Sequence, residues 1–492
     1  MMIKIFIVIF YSVALWLILI YALAQLHLLI SYIKAKKHSA DKTTPNLNTF
    51  PRITIQLPIY NELYVIERLL NNIAKIKYPK DKLDIQVLDD STDESVTKTA
   101  SIINTLQKEG LDITHIQRKT RTGFKAGALK EGLKSAKGEF IAIFDADFLP
   151  KPDWLLQTVP YFNDENIGVV QTRWGHLNRD FSILTKVQAF ALDAHFTIEQ
   201  VGRNTQGHFI NFNGTAGIWR KNCILDAGNW TADTLTEDLD LSYRAQLKQW
   251  KFKYLEHVET PAELPIAVSA ARSQQFRWNK GAAENFRKSF FKVLSTDNIS
   301  TSTKFHSFFH LLNSSMFLIL FVLAVLSIPM LYIKQIEPFK GYTIGLGFFI
   351  LSSIIFFMYY WYMYKTIYGN GIKNFINYIG LFFVFFTIIM GFSLHNSIAA
   401  IEGHLGKRSD FIRTPKFNID AINSSWKNNK YLNRTFSIST IFEGILTLYF
   451  GFGLYSAFTI SDKGDFSFFI FHLMLFIGFG YVFLKSIPMR NS

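Results

Sequence analysis

The sequence predicts an α/β domain with a mostly parallel sheet, joined to an α-helical transmembrane region. Between residues 53 and 171, short β-branched runs alternate with stretches of helical spacing, a pattern typical of parallel sheets covered by helices on both faces. Hydrophobic residues make up 49% of the 492 residues, and they concentrate at the N-terminus and after about residue 305. Such apolar runs are typical of membrane spans. We therefore expect three parts, at residues 1–35, 48–300 and 301–492.

The first part is predicted to be a membrane anchor that is not cleaved. It is apolar from residue 5 to about residue 33, and lysines follow at 34, 36 and 37. The stretch Ala22-Leu23-Ala24 resembles a signal-peptide cleavage site, but the apolar run continues well past it. Because positive residues flank the cytoplasmic side of membrane spans, the domain that follows is expected in the cytoplasm.

The second part is predicted to contain the parallel sheet. Its strands are continuously apolar, which fits burial on both faces. The last helices of this part, before residue 300, are expected to lie at the membrane interface. Strands are predicted at 53–57, 85–88, 113–116, 140–144 and 168–170, with Pro58 ending the first, and helices at 64–76, 95–108 and 126–136.

The third part contains four predicted spans, near residues 306–333, 342–364, 437–460 and 467–486. The segment 374–400 is also apolar, but a crossing there would place the following loop outside. That loop is strongly basic, which favours the cytoplasmic side. We therefore predict that 374–400 lies along the cytoplasmic interface, leaving five crossings in all. The cations of the loop are Lys407, Arg408, Arg413, Lys416, Lys427, Lys430 and Arg434.

The net charge of +14 does not indicate a nucleic-acid partner. Lys and Arg cluster beside apolar segments, as in cytoplasmic loops that face anionic lipid headgroups. No zinc-finger spacing or other nucleic-acid motif accompanies them in the sequence, so membrane lipids are the expected partner. Cys223 is the only cysteine, so an intrachain disulfide is impossible.

Two pairs of acids directly follow predicted strands: Asp89-Asp90 and Asp145-Ala146-Asp147. Sheets of this kind bind ligands at the carboxyl ends of their strands. Acids spaced like Asp145 and Asp147 suit Mg²⁺ or Mn²⁺ that bridges diphosphate oxygens, while Asp89 and Asp90 can accept hydrogen bonds from a base or a ribose. Both pairs also fit a structural role in a turn or a helix cap.

Three further motifs contain candidate site residues. Lys125, near a predicted helix N-terminus, suits a phosphate or simply an exposed basic loop. Asp238 suits a general base or an acid at the start of a helix. Within the motif at 274–278, Arg277 suits a diphosphate and Trp278 a sugar ring, although the motif also fits a helix at the membrane interface.

Together and in this order, the motifs resemble family 2 glycosyltransferases, most closely the cellulose synthase-like branch that includes glucomannan synthases. The resemblance runs across nearly the whole chain. It implies a GT-A-type, Rossmann-like catalytic domain at residues 48–300. Two further motifs contribute to this family resemblance: Gln56-Leu57-Pro58-Ile59-Tyr60-Asn61-Glu62 and Phe212-Asn213-Gly214-Thr215-Ala216-Gly217.

The resemblance also implies roles for the site residues. It assigns Asp238 as the catalytic base, and Asp145 with Asp147 as the holders of Mg²⁺ or Mn²⁺. The implied nucleotide-binding residues are Asp89, Asp90, Lys125 and Asp145, and the implied acceptor and diphosphate site consists of Gln274, Arg277 and Trp278.

A last match implies a gating loop at residues 405–418, which closes over bound nucleotide in such synthases. Its key positions would be Phe411, Arg413, Thr414 and Lys416. Arg413 departs from the pattern, because a small apolar residue is more usual there.

The function implied is inverting transfer of a hexose from UDP-glucose or GDP-mannose onto a growing β-linked polysaccharide, with passage of the polymer across the membrane. The expected location is a bacterial inner (plasma) membrane, with the catalytic domain in the cytoplasm. A first alternative is transfer of a single sugar to a glycolipid acceptor. A second is a transporter or scaffold with a catalytically dead domain, which the intact acidic motifs disfavour.

Overall fold

The computed structural model describes residues 1–38, 45–47, 49–419, 429–432 and 437–487. Residue 48, where the sequence predicts the start of the domain, lies outside these ranges, as do Lys427 and Arg434 of the basic loop and residues 488–492. The described chain consists of one α/β domain built on a seven-stranded sheet, with long apolar helices before and after it.

The sheet contains β1 Ile53–Ile59, β2 Leu83–Asp89, β3 Ile113–Gln117, β4 Phe140–Ile143, β5 Ile167–His176, β6 Gly217–Arg220 and β7 Lys251–Ala262. Its strand order is β3-β2-β1-β4-β6-β5-β7. Strands β1 to β4 pair in parallel, β6 is antiparallel to both of its neighbours, and β7 is parallel to β5. The predicted fold class, a mostly parallel α/β sheet joined to apolar helices, is confirmed.

Both faces of the sheet are buried. In β4, Ile141 packs in one hydrophobic cluster, whereas its neighbours Phe140 and Ala142 pack in a second cluster on the other face. This alternation follows from the two-residue period of a strand. The helices of the domain are α2 Ile66–Ile73, α3 Ser95–Lys108, α4 Phe124–Ser135, α5 Trp154–Thr158, α6 Ile183–Ala194, α7 Gln200–Thr205, α8 Lys221–Asp226 and α9 Glu237–Leu247.

The prediction that Pro58 ends the first strand is wrong, because β1 continues to Ile59. Proline has no N–H to donate to a neighbouring strand. However, β4 pairs with β1 only as far as Gln56. Pro58 therefore lies beyond the last β4 partner, and its missing N–H breaks no β1–β4 hydrogen bond.

The remaining helices are α1 Met2–His38, α10 Val268–Ser295, α11 Thr301–Leu312, α12 Ser315–Ile333, α13 Phe339–Gly345, α14 Ile350–Tyr368, α15 Ile372–Gly391, α16 Ser393–Leu405, α17 Ile438–Thr459 and α18 Phe469–Ser486. In the described ranges, six helical stretches are long and apolar enough to cross a membrane: Met2–Lys37, Ser315–Ile333, Phe339–Tyr368, Ile372–Gly391, Ile438–Thr459 and Phe469–Ser486.

The span predicted at 306–333 begins later than expected, at Ser315. Residues before it form the separate helix α11, which starts at the capping side chain of Ser300. Helix α11 buries Phe309 and Leu311, and Leu311 packs in a cluster with Tyr243 of α9. Its apolar residues therefore serve packing against the domain, which hydropathy alone does not distinguish from a span.

The apolar segment predicted at 374–400 forms two helices, α15 and α16, rather than one. Just before α15, the Tyr368 hydroxyl contacts the Arg179 guanidinium of the α/β domain. Near the end of α16, Glu402 Oε2 accepts a hydrogen bond from Lys280 Nζ of α10 at 3.0 Å. The chain therefore contacts the α/β domain at the end of α14 and contacts α10 near the end of α16.

Helix α1 is longer than a membrane crossing requires. Its 37 residues extend for about 55 Å at 1.5 Å per residue, against roughly 30 Å for a hydrocarbon core. Its C-terminal part packs on the domain, where Lys36 Nζ lies 2.7 Å from Glu256 Oε2. At Gly202, an added Cβ would lie 2.7 Å from the Leu28 carbonyl oxygen, so the glycine permits this close approach.

Candidate active site

The carboxyl ends of β1, β2 and β4 open onto one cavity of about 160 Å³. Parallel strands place their carboxyl ends at the same edge of a sheet, where ligands of such folds bind. The start of α9, the middle of α10 and the loop at residues 405–418, predicted to be a gating loop, complete the wall. The predicted site residues in this wall are Asp90, Lys125, Asp145, Asp147, Asp238, Gln274, Arg277, Trp278, Phe411, Arg413, Thr414 and Lys416.

Asp89 is the one predicted site residue that does not line the cavity. Its side chain is buried, and its carboxylate binds His115 Nε2 at 2.8 Å and accepts the Ser91 backbone N–H at 2.8 Å. Asp90 does line the cavity, and Arg118 binds it through two hydrogen bonds, of 2.9 and 2.5 Å. Asp89 therefore holds the turn that presents Asp90, and a direct contact of Asp89 with a nucleotide is not supported by its position.

Lys125 binds the acidic pair rather than standing free at its helix. Its Nζ donates to Asp145 Oδ1 at 2.6 Å and to the Gly214 carbonyl at 2.9 Å. The neighbouring carboxylates, led by Asp145, favour the charged ammonium and raise the pKa of Lys125 despite its burial. A cation is thus fixed beside Asp145 by two separate elements.

Asp147 is buried, and its carboxylate binds a residue from far along the chain. Lys416 Nζ of the gating loop donates to Asp147 Oδ2 at 2.6 Å. Burial raises the pKa of Asp147, and Lys416 opposes this shift. Among the described residues, Asp147 Oδ1 has no hydrogen-bond partner.

Asp238 lies in the first turn of α9 and faces the same cavity. Burial, followed by the charge of Glu237, raises the pKa of Asp238, while Lys125 opposes the shift. Gly214 has a positive φ of 80°, and a Cβ there would lie 3.0 Å from Asp238 Oδ2. This glycine therefore gives room to a carboxylate whose affinity for a proton is enhanced.

The motif at 274–278 lies on α10, which crosses the start of α9. An added Cβ at Gly281 would lie 2.5 Å from Thr236 Oγ1, so the two helices meet closely one turn beyond Arg277. The Arg277 guanidinium lies 4.4 Å from the centre of the Phe411 ring and donates to Thr414 Oγ1 at 3.2 Å. Trp278 lies 6.4 Å from Trp174, centre to centre, which gives an aromatic wall of the kind that packs against sugars.

The gating loop lies inside the cavity edge. Phe411 stacks on Phe124 at 5.8 Å, and Arg413 forms an ion pair of 2.8 Å with Glu62. Burial raises the pKa of Glu62 to about 7, against the opposing charge of Arg413. Arg413 also lies 4.5 Å from the Tyr431 ring. Arg413, which departs from the family pattern, therefore pairs with Glu62 in this structure.

Sequence reasoning missed Glu263, which fixes the end of the gating loop. Its carboxylate accepts the backbone N–H groups of Phe417, Asn418 and Ile419 at 2.6 to 3.2 Å. It also lies 3.2 Å from Arg68. No spacing in the sequence indicates this role, because the acceptor and its donors lie about 150 residues apart in the chain.

A second missed element is the stack of Arg121 on Tyr60, 3.6 Å from guanidinium to ring centre. Both residues line the cavity, but only Tyr60 lies in a motif of the family resemblance, at residues 56–62. A planar cation on an aromatic ring offers a flat surface that suits a nucleobase or a phosphate. The signal was present in the sequence, but only the fold brings residues 60 and 121 together.

Residues 51–281 match the model of the family described as glycosyltransferase like family 2. This segment is a family 2 glycosyltransferase domain. It contains all seven strands and the part of α10 that carries Gln274, Arg277 and Trp278. The family resemblance drawn from the motifs is therefore confirmed, while the gating loop lies beyond the matched segment.

Plant proteins are similar to the glycosyltransferase domain. The chain is 41% identical over 288 residues to the probable glucomannan 4-beta-mannosyltransferase 7 of Oryza sativa subsp. japonica, over 58% of this chain and 48% of that protein. It is 41% identical over 265 residues to glucomannan 4-beta-mannosyltransferase 9 of Arabidopsis thaliana, over 53% of this chain and 50% of that protein. The chain thus spans about half the length of these relatives. Neither relative supports the expectation of a bacterial membrane.

Among solved structures, the chain is similar to the mannosyltransferase PcManGT from Pyrobaculum calidifontis in complex with GDP-Man and Mn²⁺. The TM-score is 0.48 at 22% identity, over 70% of this chain and 98% of that chain. S. aureus TarS gives a TM-score of 0.37 at 15% identity, over 75% of this chain and 57% of that chain. At these values neither structure is a guide to the ligands of the glycosyltransferase domain.

The pair Asp145 and Asp147 fits a divalent cation. Carboxylate oxygens are the ligands that Mg²⁺ and Mn²⁺ prefer, and Asp147 Oδ1 is a buried oxygen without a partner in the described chain. The other contacts of the pair are lysines, Lys125 at Asp145 and Lys416 at Asp147. The ammonium groups of Lys125 and Lys416 therefore place positive charge beside both carboxylates.

Proposed function

We propose that this chain is a membrane-embedded, inverting glycosyltransferase that transfers a hexose from a nucleotide sugar onto a β-linked polysaccharide. The observation that carries the proposal is the convergence of Asp145, Asp147, Asp238 and Arg277 on one cavity of the family 2 domain. These groups come from three separate elements, and each has a task in sugar transfer. A scaffold with a dead domain would need none of them.

Mannose is the sugar that we propose. The relatives in Oryza and Arabidopsis are named as mannosyltransferases, and of the two donors considered, UDP-glucose and GDP-mannose, only the second carries mannose. The acceptor is then a β-linked glucomannan or mannan chain end. The Trp174–Trp278 pair gives this chain end an aromatic surface in the same cavity as Asp238.

The proposed chemistry is one displacement at the anomeric carbon. An acceptor hydroxyl oxygen forms the bond to that carbon, and the bond from the carbon to the diphosphate oxygen breaks. The hydroxyl proton passes to the Asp238 carboxylate, and the nucleotide diphosphate leaves with the electron pair. Inversion follows because attack and departure occur on opposite faces of the sugar.

Positive charge around the diphosphate assists departure. Arg277 and Lys125 supply fixed cations at the cavity, and Asp145 with Asp147 would hold Mg²⁺ or Mn²⁺. When bound, the metal would neutralise charge on the leaving diphosphate. Asp90 and the Arg121–Tyr60 stack line the same cavity, and we propose that they bind the nucleoside.

The gating loop must move for the donor to enter. Pockets for drug-sized ligands measure roughly 300 to 1,000 Å³, whereas the cavity beneath the loop measures about 160 Å³. Outward movement would release Lys416 from Asp147 and enlarge the cavity. Return of the loop over the donor would exclude water, which favours transfer to a hydroxyl over hydrolysis.

We propose five membrane crossings, with α15 lying along the cytoplasmic interface. Tyr368 contacts Arg179 of the α/β domain, and Glu402 contacts Lys280 of α10. These contacts support the placement, because a crossing by α15 would put Tyr368 and Glu402 on opposite sides of the bilayer. The catalytic domain then lies on the cytoplasmic side with the gating loop. The growing polymer would pass between the helices that surround α10.

The test is a donor panel with the full chain purified in detergent or reconstituted in vesicles. GDP-mannose, UDP-glucose and UDP-mannose are offered with and without a mannan oligosaccharide, and products are sized and digested with a β-mannanase. We expect a mannanase-sensitive product only from GDP-mannose. A single sugar on lipid would favour the glycolipid alternative, and no transfer or hydrolysis from any donor would favour the dead scaffold.

A further inference from the structure

A cluster of three histidines lies away from the active site, where α1 meets the domain. His27 belongs to α1, His208 follows α7, and His306 belongs to α11. Their candidate ligand nitrogens all lie within 4.8 Å of one another. His27 Nδ1 and His306 Nε2 share a hydrogen bond of 2.9 Å. Three elements far apart in the chain thus bring imidazoles together at one point.

The environment of the cluster keeps two of the rings neutral. His208 and His306 are buried, whereas His27 is exposed. Burial lowers the pKa of His208 to about 4 and that of His306 to about 3. A neutral imidazole has a free lone pair, which is the form that binds metals.

The positive charge of Arg203 near the cluster would repel a bound cation, but Arg203 is paired with a carboxylate. Arg203 acts electrostatically on His208 and His306. Its guanidinium lies 3.4 Å from the Glu199 carboxylate, which offsets its charge. The net repulsion is therefore smaller than that of an isolated arginine.

His208 has the second contact that is typical of metal-bound imidazoles. Its Nδ1 makes a hydrogen bond of 2.9 Å with Thr303 Oγ1, and Ser300 Oγ in turn accepts the Thr303 backbone N–H at 3.1 Å. Such contacts fix the tautomer and the ring orientation of a ligand. They leave His208 Nε2 for the cluster; Ser302 Oγ lies 3.4 Å from this nitrogen.

We propose that His27, His208 and His306 bind a divalent cation of the zinc class, which fastens the anchor helix α1 to the catalytic domain. Three imidazoles and one water or hydroxyl make a common tetrahedral set for zinc. The rings are stacked, at 4.5 Å for His208 on His306 and 4.9 Å for His27 on His306. Rotation about χ2, a soft torsion, turns their nitrogens toward one centre.

Binding requires only a tautomer change and no net loss of a proton. The hydrogen that His27 and His306 share moves to a ring nitrogen that faces away from the cation. His27 Nδ1 and His306 Nε2 then each direct a lone pair toward the metal. This site does not include Asp145 or Asp147. The two sites also differ in ligand type, because the histidine cluster offers nitrogen and the acidic pair offers oxygen.

The test measures metal in the full chain, purified in detergent without chelator. We expect about one zinc per chain, and, after the protein is stripped and titrated with Co²⁺, the visible absorption bands of a tetrahedral cobalt site. The variants His27→Ala and His208→Ala should weaken zinc affinity at least about 10-fold. His257→Ala is the matched control, because His257 is an exposed histidine of β7 outside the cluster.

His27→Ala keeps the test decisive even where His208→Ala fails to fold, since the His27 side chain is exposed. Zinc content and cobalt bands that are equal in the wild type, His27→Ala and His257→Ala would overturn the proposal. The wild type without zinc and without cobalt bands would do the same, and the cluster would then be a stack of neutral rings. Loss in the two cluster variants alone would support it.

Discussion

Lys416 Nζ lies 2.6 Å from Asp147 Oδ2, although 269 residues separate the two in the chain. The gating loop thereby places an ammonium group on one of the two carboxylates proposed to hold the metal. The same loop pairs Arg413 with Glu62 and reaches Arg277 through Thr414. In the proposed mechanism, outward movement of this loop would therefore both admit the donor and release this carboxylate.

The first prediction concerns movement of the gating loop. Cys223 is the only cysteine and is buried, so Ile412→Cys, at a position that is 61% exposed, introduces a single reactive thiol. We expect a membrane-impermeant thiol reagent to modify it from the side of the catalytic domain, and the rate to change when GDP-mannose and Mg²⁺ are added. A rate that ignores donor and metal would contradict the gating role.

The second prediction concerns the cations of that loop. Arg413→Ala with Lys416→Ala removes both ion pairs to the cavity wall, so closure over the donor should weaken and polymer synthesis should fall. Lys407→Ala is the control, since Lys407 pairs with Glu402 outside the cavity. Equal synthesis in the double variant and the control would show that the loop cations serve only topology.

The third prediction concerns the base. Asp238→Asn keeps the shape of the side chain but cannot accept the hydroxyl proton, so turnover should fall by about 100-fold or more. Nucleotide binding, measured by calorimetry with GDP, should remain within a few-fold. Glu165→Gln, at an exposed position, is the control. Near-normal turnover in Asp238→Asn would remove the assignment.

The fourth prediction concerns pH. Burial and the charge of Glu237 raise the pKa of Asp238, so its carboxylate stays protonated at pH values where an ordinary aspartate is ionised. Because only the ionised form accepts a proton, turnover should rise with pH across the weakly acidic to neutral range. Glu237→Gln removes one cause of the shift and should move this rise to lower pH.

The fifth prediction concerns the metal. EDTA should abolish transfer, and Mg²⁺ or Mn²⁺ should restore it, because the Asp145/Asp147 pair would hold the ion that neutralises the diphosphate. Asp147→Asn should raise the metal concentration needed for half-maximal rate. Undiminished transfer in chelator would assign the pair a structural role through Lys125 and Lys416.

Much of the site could be predicted because its chemistry lies in contiguous motifs at strand ends. Asp145 and Asp147 follow β4 directly, and local pattern is enough to place them. Asp89 shows the limit, since the sequence does not distinguish an acid that faces the cavity from one that faces His115 in the next strand. The role of Asp89 depends on whether its side chain points toward the cavity or toward β3.

The elements that sequence reasoning missed depend on long-range pairing. Strand β6 has only four residues, Gly217–Arg220, and it becomes a strand by lying antiparallel between β4 and β5. Strand β7 mixes apolar residues with Lys251, Lys253 and Glu256, so no clean alternation marks it. Tertiary partners, rather than local propensity, decide both elements.

The length of α1 has a consequence for how the catalytic domain is held relative to the bilayer. In the proposed arrangement α1 crosses the membrane, and the same unbroken helix is bound to the domain at Leu28, Tyr32 and Lys36. The residues between the crossing and these contacts therefore help to set both the height and the facing direction of the cavity. One added residue before Leu28 would turn the domain by about 100° and shift it by about 1.5 Å. Seven added residues would nearly restore its direction while raising it by about 10 Å, so height and direction can be varied separately.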